Sequence, residues 1–358
     1  MTKTHHFVTL FDANYLVQGL SLLESLERTT DDFILWVLCC DAEVFDFLGV
    51  LDSPNLRLLK LTHVQTPELV QARQDRDYVE FLWALTPFVF EFVFDVDENC
   101  EQLTYLDADL YFFRSPKDLL DLFIASDKAV LITKHKSGDG GNQAEVFGRF
   151  NVQFVAVKRS GAEKAIDWWK ERCLETTSSV PIEGVYGDQK YLDKFPEILG
   201  PRLMVVDPVV SFMGPWNTEE FRRGESEVIA YHFHSLIVLK FGFVRPYKPS
   251  WNVPEEVFRQ FYQRYFVSLL ESQRRVSLVG KSHNLRISPW NRDIKKRKSS
   301  IEVQSLSLVG SVIYRLRKGR AFLLEFRNVR PLKSRKSRKQ ASIAIPEVTR
   351  KTGINSPN

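Results

Sequence analysis

A chain of 358 residues with 44% hydrophobic and 13% aromatic content has the composition of a folded protein, long enough for one large domain with an appendage or for two modest ones. The formal net charge of +4 hides an asymmetry. Residues 276–358 carry 20 Lys and Arg against 4 Asp and Glu, and the first 275 carry 29 against 41, so an acidic body precedes a basic tail. No apolar run approaches the ~18–20 residues a membrane-spanning helix needs, and the start lacks the pattern of a secretory leader. Cys39, Cys40, Cys100 and Cys173 have the spacing of neither a disulfide scaffold nor a zinc site, which points to reduced thiols in a cytoplasmic protein.

In chain order, residues 6–11 read as a strand and 15–28 as a helix with Leu16, Leu20, Leu23 and Leu26 near one face. Residues 33–40 are an unbroken apolar run, as in a strand covered on both sheet faces. A helix at 43–51 and a strand at 56–61 follow. Residues 78–94 are helical in pattern but contain Pro87, which must start or break a helix. Residues 103–106 form the next strand. This βαβα rhythm predicts an α/β fold with a mostly parallel sheet covered by helices. Further strands are expected at 129–133, 151–157, 203–206 and 229–233. Helices are expected at 162–175, at 187–195 and, rich in aromatics, at 254–273. Trp168 and Trp169 are expected to serve packing.

The most informative peptide is Tyr105-Leu106-Asp107-Ala108-Asp109-Leu110-Tyr111, directly after a strand. Ligands of open α/β sheets gather outside the carboxyl ends of strands. Two carboxylates at i and i+2 can both address one divalent cation if the chain bends between them, leaving open positions for diphosphate oxygens. Carboxylates framed by Leu106 and Leu110 call for such a reason.

Leu106-Asp107-Ala108-Asp109 resembles the D-x-D of nucleotide-diphospho-sugar transferases of the GT-A fold. The rest of residues 7–251 is most similar to glycosyltransferase family 8 and bacterial surface-polysaccharide relatives. The resemblance implies that the segment from Thr9 through Asp12, Asn14 and Tyr15 cradles base and ribose, although Asp12 reads equally as a helix cap. It implies that Asp107 also holds the nucleotide sugar, and that Asn151, in Phe150-Asn151-Val152, contacts the donor sugar. Asp188 and Gln189 would flank the reacting anomeric carbon as catalytic residues, with a helix-cap role of comparable weight for Asp188. An amide cannot act as a Brønsted base, so Gln189 would support positive charge through its carbonyl oxygen, which suits a retaining transfer. His232 and His234 alternate on a strand and so share a face. With Asp107 and Asp109 they would complete the shell of Mn²⁺ or Mg²⁺, nitrogen favouring Mn²⁺.

The chain also departs from that pattern. Val152-Gln153-Phe154 stands where a small N-x-G turn is usual, which would alter the floor of the donor pocket. Ser235 replaces a glycine. Lys240, assigned to the nucleotide sugar, and Lys248-Pro249-Ser250-Trp251 are approximate counterparts of a Lys-Pro-Trp motif.

In the tail, Leu306, Val309, Val312, Ile313 and Leu316 recur at helical spacing among Arg315, Arg317, Lys318 and Arg320. A basic amphipathic helix of this kind seeks anionic membranes. The expected organisation is a GT-A domain over 1–275, a basic, partly helical extension over 276–340 and a disordered end over 341–358. The expected partners are a nucleotide-sugar donor, most readily a UDP-sugar, and a saccharide or lipid-linked acceptor. An anionic surface at the inner membrane face is a further expected partner, and nucleic acid is not expected. Two rivals remain. One is a non-catalytic nucleotide-sugar-binding protein on the same scaffold. The other is a sugar-nucleotide nucleotidyltransferase, which would present a Gly-rich basic loop where Asp12-Ala13-Asn14-Tyr15 stands.

Overall fold

The computed structural model describes residues 4–136, 141–182, 184–207, 212–218, 221, 228–238, 243–248, 251–285, 302–305, 312–317 and 320–325. The first elements follow the expected alternation: β1 (His5–Phe11), α1 (Leu16–Thr29), β2 (Phe33–Cys39), α2 (Ala42–Gly49) and β3 (Leu56–Lys60). α3 (Leu61–Val64) and α4 (Pro67–Asp75) precede α5 (Tyr78–Leu85) and α6 (Phe88–Val96). The break falls at Pro87, which caps α6, because proline has no N–H to give a preceding turn. Next come β4 (Gln102–Leu106), β5 (Leu110–Phe112), α7 (Lys117–Ala125), β6 (Val130–Lys134), α8 (Gly141–Phe147), β7 (Phe150–Lys158) and α9 (Glu163–Glu175). The helix expected at 187–195 is instead a 3₁₀ turn, Lys190–Lys194, followed by α10 (Phe195–Leu199). Pro196 is tolerated only in a first helical turn, so the helix restarts there.

The small strands β8 (Leu203–Val206), β9 (Phe212–Met213), β10 (Ala230–His232), β11 (Ile237–Val238) and β12 (Phe243–Arg245) lead to α11 (Glu255–Val257). A π-turn over Phe258–Tyr262 joins it to α12 (Gln263–Ser282). This last helix runs past residue 275 and buries Val276, so the packed body extends beyond the boundary expected from sequence.

The large sheet has the order β3-β2-β1-β4-β7-β6-β8, with β3, β2, β1 and β4 mutually parallel and β7 antiparallel to both its neighbours. Alternation along β1 sends Phe7 and Phe11 into one core with α1, α2 and α12, and Val8 and Leu10 into a second core with α4–α6, α9 and α10. Trp169 lies fully in the second core against Phe90 and Phe195, and Trp168 packs on Tyr191, so both tryptophans serve packing as expected. All four cysteines are free and buried. Burial pushes the thiols up, those of Cys39 and Cys100 to about 12, which keeps them inert.

A second sheet, β5-β10-β9, is set beside the first, and α12 underpins it: Tyr265 stacks on Phe233 at 3.8 Å and meets Tyr111 edge-on at 5.5 Å. In the tail, β13 (Glu302–Ser305), β14 (Val312–Arg317) and β15 (Arg320–Glu325) extend the β11–β12 hairpin as an antiparallel sheet. The amphipathic helix expected at 306–316 is therefore not formed over 312–316, and residues 306–311 lie outside the described set. The β-branched and aromatic run Val312-Ile313-Tyr314 suits a pleated ladder better than a helix. The disordered end expected at 341–358 also lies outside the described residues. Among the described residues, no helix is long and apolar enough to cross a membrane.

Candidate active site

The strand order reverses between β1 and β4, which opens a crevice at the carboxyl ends of this adjacent parallel pair. Asp12 follows β1 and Asp107 follows β4. At the end of β4 the chain leaves the large sheet: the Asp107 N–H donates to the Gln153 carbonyl (3.1 Å), and the Leu110 N–H closes a turn on the Asp107 carbonyl (3.1 Å). β5 then enters the small sheet, where His232 of β10 pairs opposite Leu110 and the Phe233 N–H donates to the Asp109 carbonyl (3.0 Å). This topology brings residues more than 120 positions apart together. His232 Nε2 lies 3.0 Å from Asp109 Oδ1 and 3.6 Å from Asp107 Oδ2. Asp109, His232 and His234 each offer a ligand atom within 4.8 Å of the others.

β10 ends at His232, so His234 reaches the cluster from the following turn and not from strand alternation as expected. The two imidazoles meet nearly perpendicular, with centroids 5.3 Å apart. Ser235 closes that turn at φ +62°, a left-handed conformation that favours glycine, which accounts for the glycine expected there.

The electrostatics suit a dication. Burial, with Asp109 beside it, pushes the Asp107 carboxyl up to about 6 against the opposing pull of His232. Burial would raise Asp109 as well, but the charge and hydrogen bond of His232 hold it below the usual carboxylate range. For His232, burial is outweighed by Asp109 and Asp107, and its pKa is raised. His234 is driven down to about 3 by burial and by His232, so it is a neutral nitrogen donor. The buried Asp109, the half-buried Asp107 beside it and one or two imidazoles form a mixed oxygen and nitrogen set that fits Mn²⁺ or Mg²⁺.

Beside this cluster is a cavity of about 450 Å³. Its polar lining is Asp107, His135, Asn151, Asp188, Gln189, His232, His234 and Lys248, and its apolar wall includes Trp83, Phe147, Tyr186, Trp216 and Trp251. Asp188 is fixed from behind: the Trp169 indole N–H donates to its carbonyl at 2.9 Å. The preceding Gly187 takes φ +55°, a conformation strained for any other residue, with the Trp83 ring close against it. The Asp188 carboxylate is 3% exposed, and its Oδ2 meets no hydrogen-bond partner among the described residues. Burial lifts it to about 7, partly countered by a hydrogen bond with Thr86. It does not cap the 3₁₀ turn, which starts after Gln189. The Gln189 amide donates from Nε2 to the Phe147 carbonyl (2.8 Å), which leaves its carbonyl oxygen for the cavity.

The other expected residues divide. Asn151 lines the cavity, and its Oδ1 accepts from the Gln153 N–H (2.8 Å). Asp12 acts as a cap: it accepts from the Asn14 N–H (3.0 Å) and side chain (2.7 Å) at the start of a 3₁₀ turn, Ala13–Tyr15. Thr9 is buried within β1, and neither it nor Asp12, Asn14 or Tyr15 lines the cavity. Lys240 lies outside the described residues, whereas Lys248 lines the cavity with its Nζ 5.4 Å from the centre of the Trp251 ring.

Of the Val152-Gln153-Phe154 segment, Val152 lines the cavity, whereas Gln153 turns away from it to accept a hydrogen bond from His232 Nδ1 (3.1 Å). The ladder with β6 slips between Ile132 and Thr133, so residues 152–154 bulge, and bulges re-aim side chains in this way. Sequence reasoning also missed Trp216. Its ring meets His232 edge-on at 5.2 Å, its N–H donates to the His135 carbonyl (2.9 Å), and it covers Gly214 so closely that a Cβ there would sit 2.5 Å from the ring. The bare Gly214-Pro215-Trp216 segment carries no motif that could have announced this.

No protein-family model matches the chain. It is 25% identical over 284 residues to the uncharacterized protein YfnF of Bacillus subtilis strain 168, covering 75% of this chain and 93% of YfnF. It is 27% identical, over the same length, to the uncharacterized protein YfnD of that organism, covering 75% and 89%. Solved structures similar to it are those of glycosyltransferases. Mouse xyloside xylosyltransferase 1 has 14% identity and TM-score 0.44, covering 65% of this chain and 98% of that one. Galactosyltransferase LgtC, solved with donor and acceptor sugar analogs, has 14% identity and TM-score 0.42, covering 77% and 95%. Glycosyltransferase GlyE of Streptococcus pneumoniae TIGR4 has 14% identity and TM-score 0.49, covering 79% and 64%.

Proposed function

We propose that this chain transfers a sugar from a nucleoside diphosphate sugar, a UDP-sugar foremost, to a hydroxyl of a glycan or lipid-linked acceptor, with retention at the anomeric carbon. The observation that carries the reading is the meeting of Asp107, Asp109 and His232, at 3.0 and 3.6 Å, beside a cavity whose polar lining includes Asn151, Asp188 and Gln189. Asp107, Asp109, His232 and His234 would hold Mn²⁺ or Mg²⁺, and a bound dication supplies Lewis-acid stabilisation of charge on the departing diphosphate.

The remaining roles belong to the chain itself. Asn151 and Asp188 orient sugar hydroxyls, and Lys248 is the cation within the cavity that can meet a phosphate. The half-buried Asn14 and Tyr15, past the carboxyl end of β1, would take the base and ribose outside the cavity, with the buried Thr9 and Asp12 supporting them from behind. The bond from the anomeric carbon to the diphosphate oxygen breaks, the acceptor oxygen bonds the same carbon, and the acceptor proton passes to the departing diphosphate. Gln189 faces the positive charge that develops on the sugar with its carbonyl oxygen. The aromatic wall excludes water and so favours transfer over hydrolysis.

Incubation with a panel of UDP-, GDP- and dTDP-sugars, with and without Mn²⁺, tests the reading by release of the nucleoside diphosphate. One sugar nucleotide should be turned over in a chelator-sensitive way. Absence of turnover and of thermal stabilisation with every donor would refute it. Replacing Gln189 with Ala is expected to lower kcat about 10–100-fold with little change in KM, as for a group engaged mainly in the transition state. A raised KM at full kcat would reduce Gln189 to a binding group.

The basic extension is proposed to bind anionic surfaces at the inner face of a membrane, each Lys or Arg near the surface adding about 1 kcal/mol. The full chain should sediment with phosphatidylglycerol vesicles at low salt and release as salt rises. A chain ending at Leu285, which keeps all of α12, should lose that binding and keep turnover of a soluble substrate. Indifference of the full chain to such vesicles would end the membrane reading.

A further inference from the structure

We infer that Gln153 is a positioning residue for the metal centre, fixing the His232 imidazole so that Nε2 presents its lone pair to a divalent cation. The inference rests on the metal reading proposed above and goes beyond it, because Gln153 does not line the cavity and its side chain bonds His232 in place of a carboxylate. The side chain is 1% exposed, and its Oε1 is 3.1 Å from His232 Nδ1. A nitrogen that ligates a metal carries no proton, so its ring partner must be the N–H. An acceptor held against Nδ1 therefore selects the ligating tautomer. Only the Oε1 of the amide can play that part, since an N–H turned toward Nδ1 would favour a proton on Nε2.

The backbone of Gln153 is engaged as well. Its carbonyl accepts from the Asp107 N–H (3.1 Å), and its N–H donates to Asn151 Oδ1 (2.8 Å). One residue thus ties together a carboxylate ligand, the imidazole ligand and a cavity amide. The Trp216 ring, edge-on to His232 at 5.2 Å, adds an aromatic contact to that hydrogen bond.

The test is Mn²⁺ affinity, read as free Mn²⁺ by electron paramagnetic resonance, on wild type, Gln153→Met and Gln153→Glu. Methionine keeps the volume and removes the acceptor, whereas glutamate keeps the acceptor. The Met variant is expected to bind Mn²⁺ about 10–100-fold more weakly, and the Glu variant to bind at least as tightly as wild type. In a His232→Gln background, Gln153→Met should cost nothing further, because the ring it orients is gone. Wild-type affinity in a folded Met variant would overturn the inference. So would an unchanged cost of Gln153→Met in the His232→Gln background, which would assign the loss to packing. If wild type and Asp109→Asn bind Mn²⁺ alike, the metal reading itself fails, an outcome distinct from failure at Gln153.

Discussion

Asp109→Asn is expected to remove more than about 100-fold of Mn²⁺-dependent turnover while leaving a folded protein. A direct ligand should cost at least as much as the orienting groups behind one. The carboxylate is the nearer partner of His232, at 3.0 Å against 3.6 Å for Asp107, and the charge and hydrogen bond of that imidazole hold it below the usual carboxylate range. Asparagine keeps the shape and one oxygen but loses the negative charge. It also removes the pull that raises His232, so the imidazole pKa should fall in the metal-free variant, a change that proton NMR can follow. Circular dichroism and the thermal midpoint establish the fold, and Mn²⁺ titration separates lost affinity from lost chemistry. Full turnover in this variant would remove the metal from the proposed function.

Asp188→Asn should separate stability from activity. The wild-type carboxyl sits at about 7 in the folded protein, chiefly because burial disfavours its charge, against 3.8 when unfolded. Between those values the folded state holds a proton that the unfolded chain has released, so this group makes stability fall as pH rises. Its contribution is whole below about 4 and lost above about 7, a difference of up to about 4 kcal/mol. Asparagine never ionises. The variant should therefore gain stability over wild type at pH 8 relative to pH 4.5, read by urea unfolding at the two values. Transfer should drop about 10–100-fold above pH 7, where the wild-type group is ionised, and by less at lower pH, with Mn²⁺ affinity unchanged, since a neutral amide accepts from a sugar hydroxyl more weakly than a carboxylate does. An identical pH slope in both proteins would show that Asp188 is not the group that titrates there.

The local elements of this protein were legible in its amino acids. The apolar run of β2 announced a strand covered on both faces. Pro87 announced the break between α5 and α6, and the carboxylates after β4 announced a site. These features are decided by backbone sterics and by where apolar side chains can be buried, so they can be read within a window of ten residues. The pairing of Asp109 with His232 was expected from motif order, but the means was not. Register between β5 and β10 sets His232 beside the carboxylates, and a left-handed Ser235 holds the turn that carries His234. The direction of Gln153 and the approach of Trp216 over Gly214 were decided only in three dimensions. A bulge and a bare glycine have no periodicity to betray which distant ring they will meet. The tail teaches the converse: Val312, Ile313 and Leu316 fit a helical spacing, yet β14 finds hydrogen-bond partners on both sides, in β13 and β15. Local spacing proposes a structure there, and backbone pairing with remote segments decides it.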